Sequence, residues 1–139
     1  MGKGSIVLGV LNDIHIIGIQ ILEHVLLKNG YIPVRIGAMV TQEELINTAI
    51  ETNAKAIFVS SSNGHAVIEF NGLREKCQEA GLDNILLYAG GYLVVTKQLE
   101  NWDDIIKRFE EMGYNRIYRH TVLPEEVMKD LDFDLGYIG

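Results

Sequence analysis

Cysteine is nearly absent: Cys77 is the only one in 139 residues. One thiol can form neither an internal bridge nor a cysteine-rich zinc site, which excludes a disulfide-stapled secreted scaffold and suits a reducing interior. Proline is almost as scarce, with two residues, and no low-complexity tract, repeat or composition shift marks a linker. At about 100–200 residues per domain, a single domain over residues 1–139 is expected. Basic residues are outnumbered 12 to 19, for a net charge of −7. Such a chain lacks the basic face that a nucleic-acid partner needs. No apolar run approaches the ~18 residues of a membrane span. Met1-Gly2-Lys3-Gly4 runs directly into a strand-like segment, so no signal peptide is expected. The expectation is an acidic, cytoplasmic domain without membrane or nucleic-acid partners, and 47% hydrophobic residues exclude a disordered chain.

What the sequence does contain is an alternation of apolar strands and amphipathic helices. Ser5 to Val10, Ala56 to Ser60 and Ile85 to Ala89 are short apolar runs without strict polar alternation, the pattern of strands covered on both faces. Tyr31 to Ile36 is a further strand, and Pro33, which has no N–H for a ladder, favours the sheet edge. Arg116 to Arg119 makes a fifth. Between them, Gly18 to Asn29 predicts a helix with Gln20, Glu23, His24, Leu27 and Lys28 on its polar stripe and a wide apolar face, stopped by Asn29-Gly30. Thr41-Gln-Glu-Glu44 reads as a capping box opening a helix with Leu45, Ile46, Ala49 and Ile50 on its inner side. Glu69 to Ala80 predicts a helix with Leu73, Cys77 and Ala80 inward. Asn101 caps one carrying Trp102, Ile105, Ile106, Phe109 and Met112, and Pro124 starts a last one with Val127, Met128 and Leu131 inward. Five strands alternating with helices predict an α/β, doubly wound parallel sheet of flavodoxin-like (Rossmann-like) type, in the order 2-1-3-4-5.

In that architecture ligands sit beyond the carboxyl ends of the strands, near the point where strand order reverses. Three polar or glycine-rich segments converge there: Asn12-Asp13-Ile14-His15-Ile16-Ile17-Gly18, Ser60-Ser61-Ser62-Asn63-Gly64-His65 and Gly90-Gly91-Tyr92. Asp13 and His15 read in two ways. The carboxylate can accept the Nδ1 proton of the imidazole, leaving a more basic Nε2 free for a metal or a proton; or Asp13 caps the first helix and His15 is a satisfied loop residue. His65 reads as a cap or a lining residue, His24 as solvated and Cys77 as core. Ser60 and Ser61 stand where a phosphoacceptor aspartate would end strand three, and no G-x-G-x-x-G, P-loop or G-x-S-x-G motif occurs.

Taken together, Asp13-x-His15-x-x-Gly18, Ser60-x-Ser62 and Gly90-Gly91 resemble the cobalamin-binding signature Asp-x-His-x-x-Gly, Ser-x-Leu, Gly-Gly. Ile50-Glu51-Thr52, Gly72 to Cys77, Glu79 to Leu82, Val94-Val95 and Lys97-Gln98 extend the resemblance along nearly the whole chain. They look like the small subunit of glutamate mutase (methylaspartate mutase). The resemblance implies an isomerase that uses adenosylcobalamin to interconvert L-glutamate and threo-3-methylaspartate. It makes His15 the lower axial ligand to cobalt and Asp13 its hydrogen-bonded support. It also places Asn12, Ile14, Ile16, Gly18, Ser60, Ser61, Ser62, Gly90, Gly91, Tyr92, Leu93, Val94, Val95 and Thr96 around the cofactor. No residue of this chain is implied as catalytic. A large partner subunit, a TIM-type barrel, would bind most of the amino-acid substrate, in a heterotetramer. A corrinoid carrier for methyl transfer, or a subunit of a mutase with another substrate, is the alternative. Ser62 departs from the family leucine and Asn63 from the usual tyrosine beside it. Tyr92 and Thr96 replace an asparagine and a glycine.

Overall fold

The computed structural model describes residues 2–11, 17–61, 70–91, 102–119 and 122–137. Among them, strands β1 (Ser5–Leu11), β2 (Ile32–Val40), β3 (Ala56–Ser61), β4 (Leu86–Gly91) and β5 (Arg116–Ile117) form one parallel sheet in the order β2-β1-β3-β4-β5. The expected order is the observed one, with Pro33 on an edge strand. Helices α1 (Ile17–Lys28), α2 (Gln42–Thr52), α3 (Leu73–Glu79), α4 (Trp102–Glu111) and α5 (Pro124–Asp134) connect and cover the strands.

Successive strand side chains point to opposite faces, so the three inner strands feed two cores. Val7, Ile57, Val59, Leu87 and Ala89 pack with Leu45, Ile46, Ala49, Leu73, Cys77, Ile105 and Phe109 of α2, α3 and α4. Ile6, Leu8, Val10, Ala56, Phe58 and Tyr88 pack with Leu22 and Leu26 of α1 and Val127, Met128 and Leu131 of α5. Leu8, Leu45, Ile57, Leu73 and Leu87 are fully buried, each worth about 1.5–3 kcal/mol relative to exposure. The capping box forms as read: the Glu44 N–H donates to Thr41 Oγ1 at 3.1 Å and the Thr41 N–H donates to Glu44 Oε1 at 3.2 Å. Gly30, at φ +89, ends the turn after α1.

The structure departs from the sequence reading in several places. β2 continues past Ile36 to Val40 through an irregular stretch containing Gly37 at φ +112, where the alternation used to recognise strands is lost. Within the helix expected over Glu69 to Ala80, Phe70 and Leu73–Glu79 are helical but are separated by a turn at Asn71 and Gly72, with Gly72 in the left-handed region; Glu69 lies outside the described residues, and Ala80 is exposed. Ile50 is 50% exposed, because it lies five residues from Leu45 and so about 140° around the helix. Ile21 is also half exposed, so the inner stripe of α1 is Leu22, Val25 and Leu26 and is narrower than its apolar content suggested. The fifth strand is only Arg116–Ile117 rather than reaching Arg119. The expected cap Asn101 lies outside the described residues.

Candidate functional site

The order reverses between β1 and β3, and α1, which follows β1, lies on one face while α2, α3 and α4 lie on the other. A crevice therefore opens beyond the carboxyl ends of these strands. At that edge the ladder aligns Val10 with Ser60 and Ser60 with Gly90. All three follow their strands' alternation onto the α1/α5 face, because Leu8, Phe58 and Tyr88 two residues earlier belong to that core. The result is a row of one apolar residue, one half-buried hydroxyl and one residue with no side chain. Ser61 pairs with Gly91 on the next step of the ladder, and Gly18 lies in the first turn of α1.

Gly90 has a structural duty that sequence reasoning missed. A Cβ there would lie 2.9 Å from Phe58 Cζ and 3.1 Å from Phe58 Cε1. The Phe58 ring lies nearly parallel to Tyr118 at 6.0 Å between centroids and edge-on to Tyr88 at 6.4 Å. These three rings pack directly beneath the Ser60–Gly90 pair.

Two of these rings, Tyr118 and Tyr88, are fastened to α5, as is Tyr31. Tyr118 Oη donates to Asp130 at 2.8 Å, Tyr31 Oη donates to Asp132 at 2.5 Å, and Tyr88 Oη donates to Asp134. Arg116 donates from Nε and Nη2 to the two oxygens of Asp134 at 2.7 and 2.8 Å, and Lys3 Nζ reaches Asp132 at 3.0 Å. Burial first, and the carboxylate partners second, push the Tyr88 and Tyr118 hydroxyls well above the usual phenol range. Both stay protonated as donors. Arg116 holds the Asp134 carboxyl below the usual carboxylate range, outweighing its burial. Three aspartates at two-residue spacing on the last helix were the available sequence signal for this wall. Periodicity alone drew attention only to its apolar stripe.

Among the residues expected around the site, Gly18, Ser60, Ser61, Gly90 and Gly91 are described, and Ser60–Gly90 and Ser61–Gly91 are brought together. Asn12, Asp13, Ile14, His15, Ile16, Ser62, Tyr92, Leu93, Val94, Val95 and Thr96 lie outside the described residues, as do His65 and His120. His24 is exposed on α1, as expected of a solvated residue. Cys77 is fully buried and burial raises its thiol pKa, which makes it a core residue rather than a nucleophile. Among the described residues, no helix is long and apolar enough to cross a membrane.

No family model matches the chain. Solved structures share its architecture. A cobalamin-binding protein from Desulfitobacterium hafniense DCB-2 is 17% identical with a TM-score of 0.74, covering 98% of this chain and 59% of that one. The methanol:cobalamin methyltransferase complex of Methanosarcina barkeri is 21% identical with a TM-score of 0.76, covering 99% of this chain and 48% of that one. The signal receiver domain of a histidine kinase from Syntrophus aciditrophicus is 15% identical with a TM-score of 0.65. At such identities what is shared is the fold, and it defines the class: a flavodoxin-like, doubly wound α/β domain. Curated sequences narrow it. The glutamate mutase sigma subunit of Clostridium tetani is 50% identical over 137 residues, 98% of both chains. That of Clostridium cochlearium is 48% identical over the same span, and that of Escherichia coli O157:H7 is 40% identical, covering 91% of the relative. The chain belongs to the glutamate mutase sigma subunit family.

Proposed function

We propose that this chain is the cobalamin-binding small subunit of a glutamate mutase, a cytoplasmic isomerase that interconverts L-glutamate and threo-3-methylaspartate. The observation that carries this assignment is the 50% identity over 98% of both chains to a glutamate mutase sigma subunit. The described part of the site fits a flat nucleotide tail. Ser60 offers a half-buried hydroxyl between Val10 and Gly90, and Gly90 adds no side chain to the α1/α5 face. The chemistry supplied by adenosylcobalamin, when bound, is a homolytically cleavable cobalt–carbon bond.

In this proposal residues 1–139 are a single cobalamin-binding domain. His15 would hold the cofactor's cobalt through Nε2, and Asp13 would accept its Nδ1 proton, which would fix the tautomer and strengthen donation to the metal. Gly18, Ser60, Ser61, Gly90 and Gly91 bound the nucleotide tail. Asn12, Ile14, Ile16, Ser62 and Tyr92 to Thr96 complete the enclosure. The chain orients the cofactor and performs no proton or hydrogen transfer itself. A large subunit, a TIM-type barrel in a heterotetramer with this chain, holds the amino acid and excludes water from the reacting face.

Co-purification with the large subunit tests the assignment. With added adenosylcobalamin the pair is expected to interconvert glutamate and 3-methylaspartate in preference to other diacids. Its cob(II)alamin form is expected to show nitrogen superhyperfine splitting that changes with labelled histidine and disappears in His15→Ala. Splitting that survives His15→Ala unchanged overturns the ligand assignment, and turnover of a different diacid alone overturns the substrate.

A further inference from the structure

The carboxyl end of β2 is distorted in a way that the fold alone does not require. Gly9 pairs with Gly37 and Leu11 with Val40, so Ala38 and Met39 together stand opposite Val10 alone. This is a β-bulge, a device that re-aims a side chain and is common beside functional sites. Met39 sits at φ 57, in the left-handed region that glycine enters freely and that crowds the Cβ of other residues. Only one other described non-glycine residue has positive φ, Asn53 at the end of α2, a residue type that tolerates the conformation. Met39 has no such excuse.

The distortion is held from both sides. Val40 is 2% exposed in the α2–α4 core, and Thr41 is locked by the capping box that opens α2. Gly37, at φ +112, pairs with Gly9 on the other side. Between these fixed points Met39 is 57% exposed. Unstrained alternatives exist for an exposed position, so holding a long apolar side chain in water at a strained φ points to an occupant that covers it.

We propose that Met39 is a cofactor contact, packing its thioether side chain against the edge of the corrin ring; the proposal rests on the cobalamin reading above. Its position selects this occupant. Val40 is the cross-strand partner of Leu11, the last residue of the strand that leads into Asp13 and His15. Adjacent strands lie about 4.8 Å apart. A flat macrocycle ligated from the segment after β1 is wider than that spacing and overlies the ends of both neighbours of β1. On the β3 side the structure offers Ser60; on the β2 side it offers Met39. The methyl-rich periphery of a corrin suits a flexible, polarizable thioether.

The test compares the full-length chain with Met39→Gly, Met39→Asn and Met39→Leu. Each is titrated with cob(II)alamin followed by absorbance, melted without cofactor, and titrated with the large subunit at saturating cobalamin. Met39→Gly is expected to bind cob(II)alamin about tenfold more weakly, the effect of losing a partly buried apolar side chain. Its melting temperature should equal or exceed that of the unsubstituted chain, because glycine relieves the φ strain. Met39→Leu should stay within about threefold. If Met39→Gly does not fold, Met39→Asn, which tolerates the same φ, carries the comparison with the same expected loss. Undiminished affinity in the glycine and asparagine variants overturns the proposal. Unchanged cobalamin affinity with weaker association of the large subunit overturns it too, placing Met39 in the subunit interface instead. No cobalamin binding by the unsubstituted chain, alone or with the large subunit, is a different result: it removes the functional reading itself.

Discussion

Gly90→Ala isolates a single steric contact beneath the candidate site. Gly90 is not in the left-handed region, so alanine meets no backbone penalty there. The new Cβ would lie 2.9 Å from Phe58 Cζ, well inside ordinary van der Waals contact. Phe58 cannot easily withdraw. It lies against Tyr118 and Tyr88, and both of those rings are tied to α5 through Asp130 and Asp134. Overpacking of this kind costs about 1–3 kcal/mol. A central loss of about 2 kcal/mol corresponds to a fall in melting temperature of about 6–10 °C for a chain of this size. Phe58→Leu removes the clashing end of the ring and is expected to cost on the order of 1–2 kcal/mol by itself, as a partial truncation of a buried aromatic. The double variant should then be more stable than the sum of the two losses predicts, by at least about 1 kcal/mol. Urea denaturation of the four proteins measures that coupling. Additivity to within about 0.5 kcal/mol, or an alanine variant as stable as the parent, would refute the steric account of Gly90.

Asp134→Asn should cost about 2 kcal/mol at neutral pH, since it removes the ionised acceptor of Arg116 and Tyr88. Arg116 depresses the folded-state pKa of Asp134. The stabilisation is therefore present above the unfolded value of about 3.9 and is lost as pH falls through the folded value. Denaturation at pH 7 and pH 3 should show the gap between parent and variant narrowing in acid; a constant gap contradicts the pairing. Thr41→Ala should lower stability by about 1 kcal/mol through loss of the cap, whereas Thr41→Ser should cost a few tenths. Equal melting curves for both would show that the capping bond contributes nothing.

The fold was legible because its main signals are local. Apolar runs such as Ala56 to Ser60 identify strands buried on both faces, Thr41 and Glu44 identify a helix start, and strict β–α alternation leaves few topologies. What escaped depended on neighbours. Ile50 and Ile21 are apolar but fall off the stripe that the sheet covers. The extension of β2 to Val40 is hidden by a bulge whose existence depends on how Gly9 and Gly37 meet. The α5 wall is a tertiary arrangement, since nothing local links Asp130, Asp132 and Asp134 to tyrosines on distant strands. At the site, Ser60 and Gly90 were found as small residues in the right loops, and the ladder puts them side by side. That Gly90 also makes room for Phe58 could not be read without the packing. The remaining expected contacts, including Asp13 and His15, fall outside the described residues.

Both flanks of the sheet discourage growth by strand addition. Ile32 N–H donates inward to Gly4 O at 2.9 Å, and backbone N–H groups alternate sides along a strand, so the donor that Pro33 lacks is one that would have faced outward. Beyond Ile36 the bulge interrupts any regular ladder that an incoming chain could extend. The opposite border, β5, is two residues long, too short to act as a template. A crowded population of these molecules therefore finds little purchase along these two strands for edge-to-edge ribbon formation.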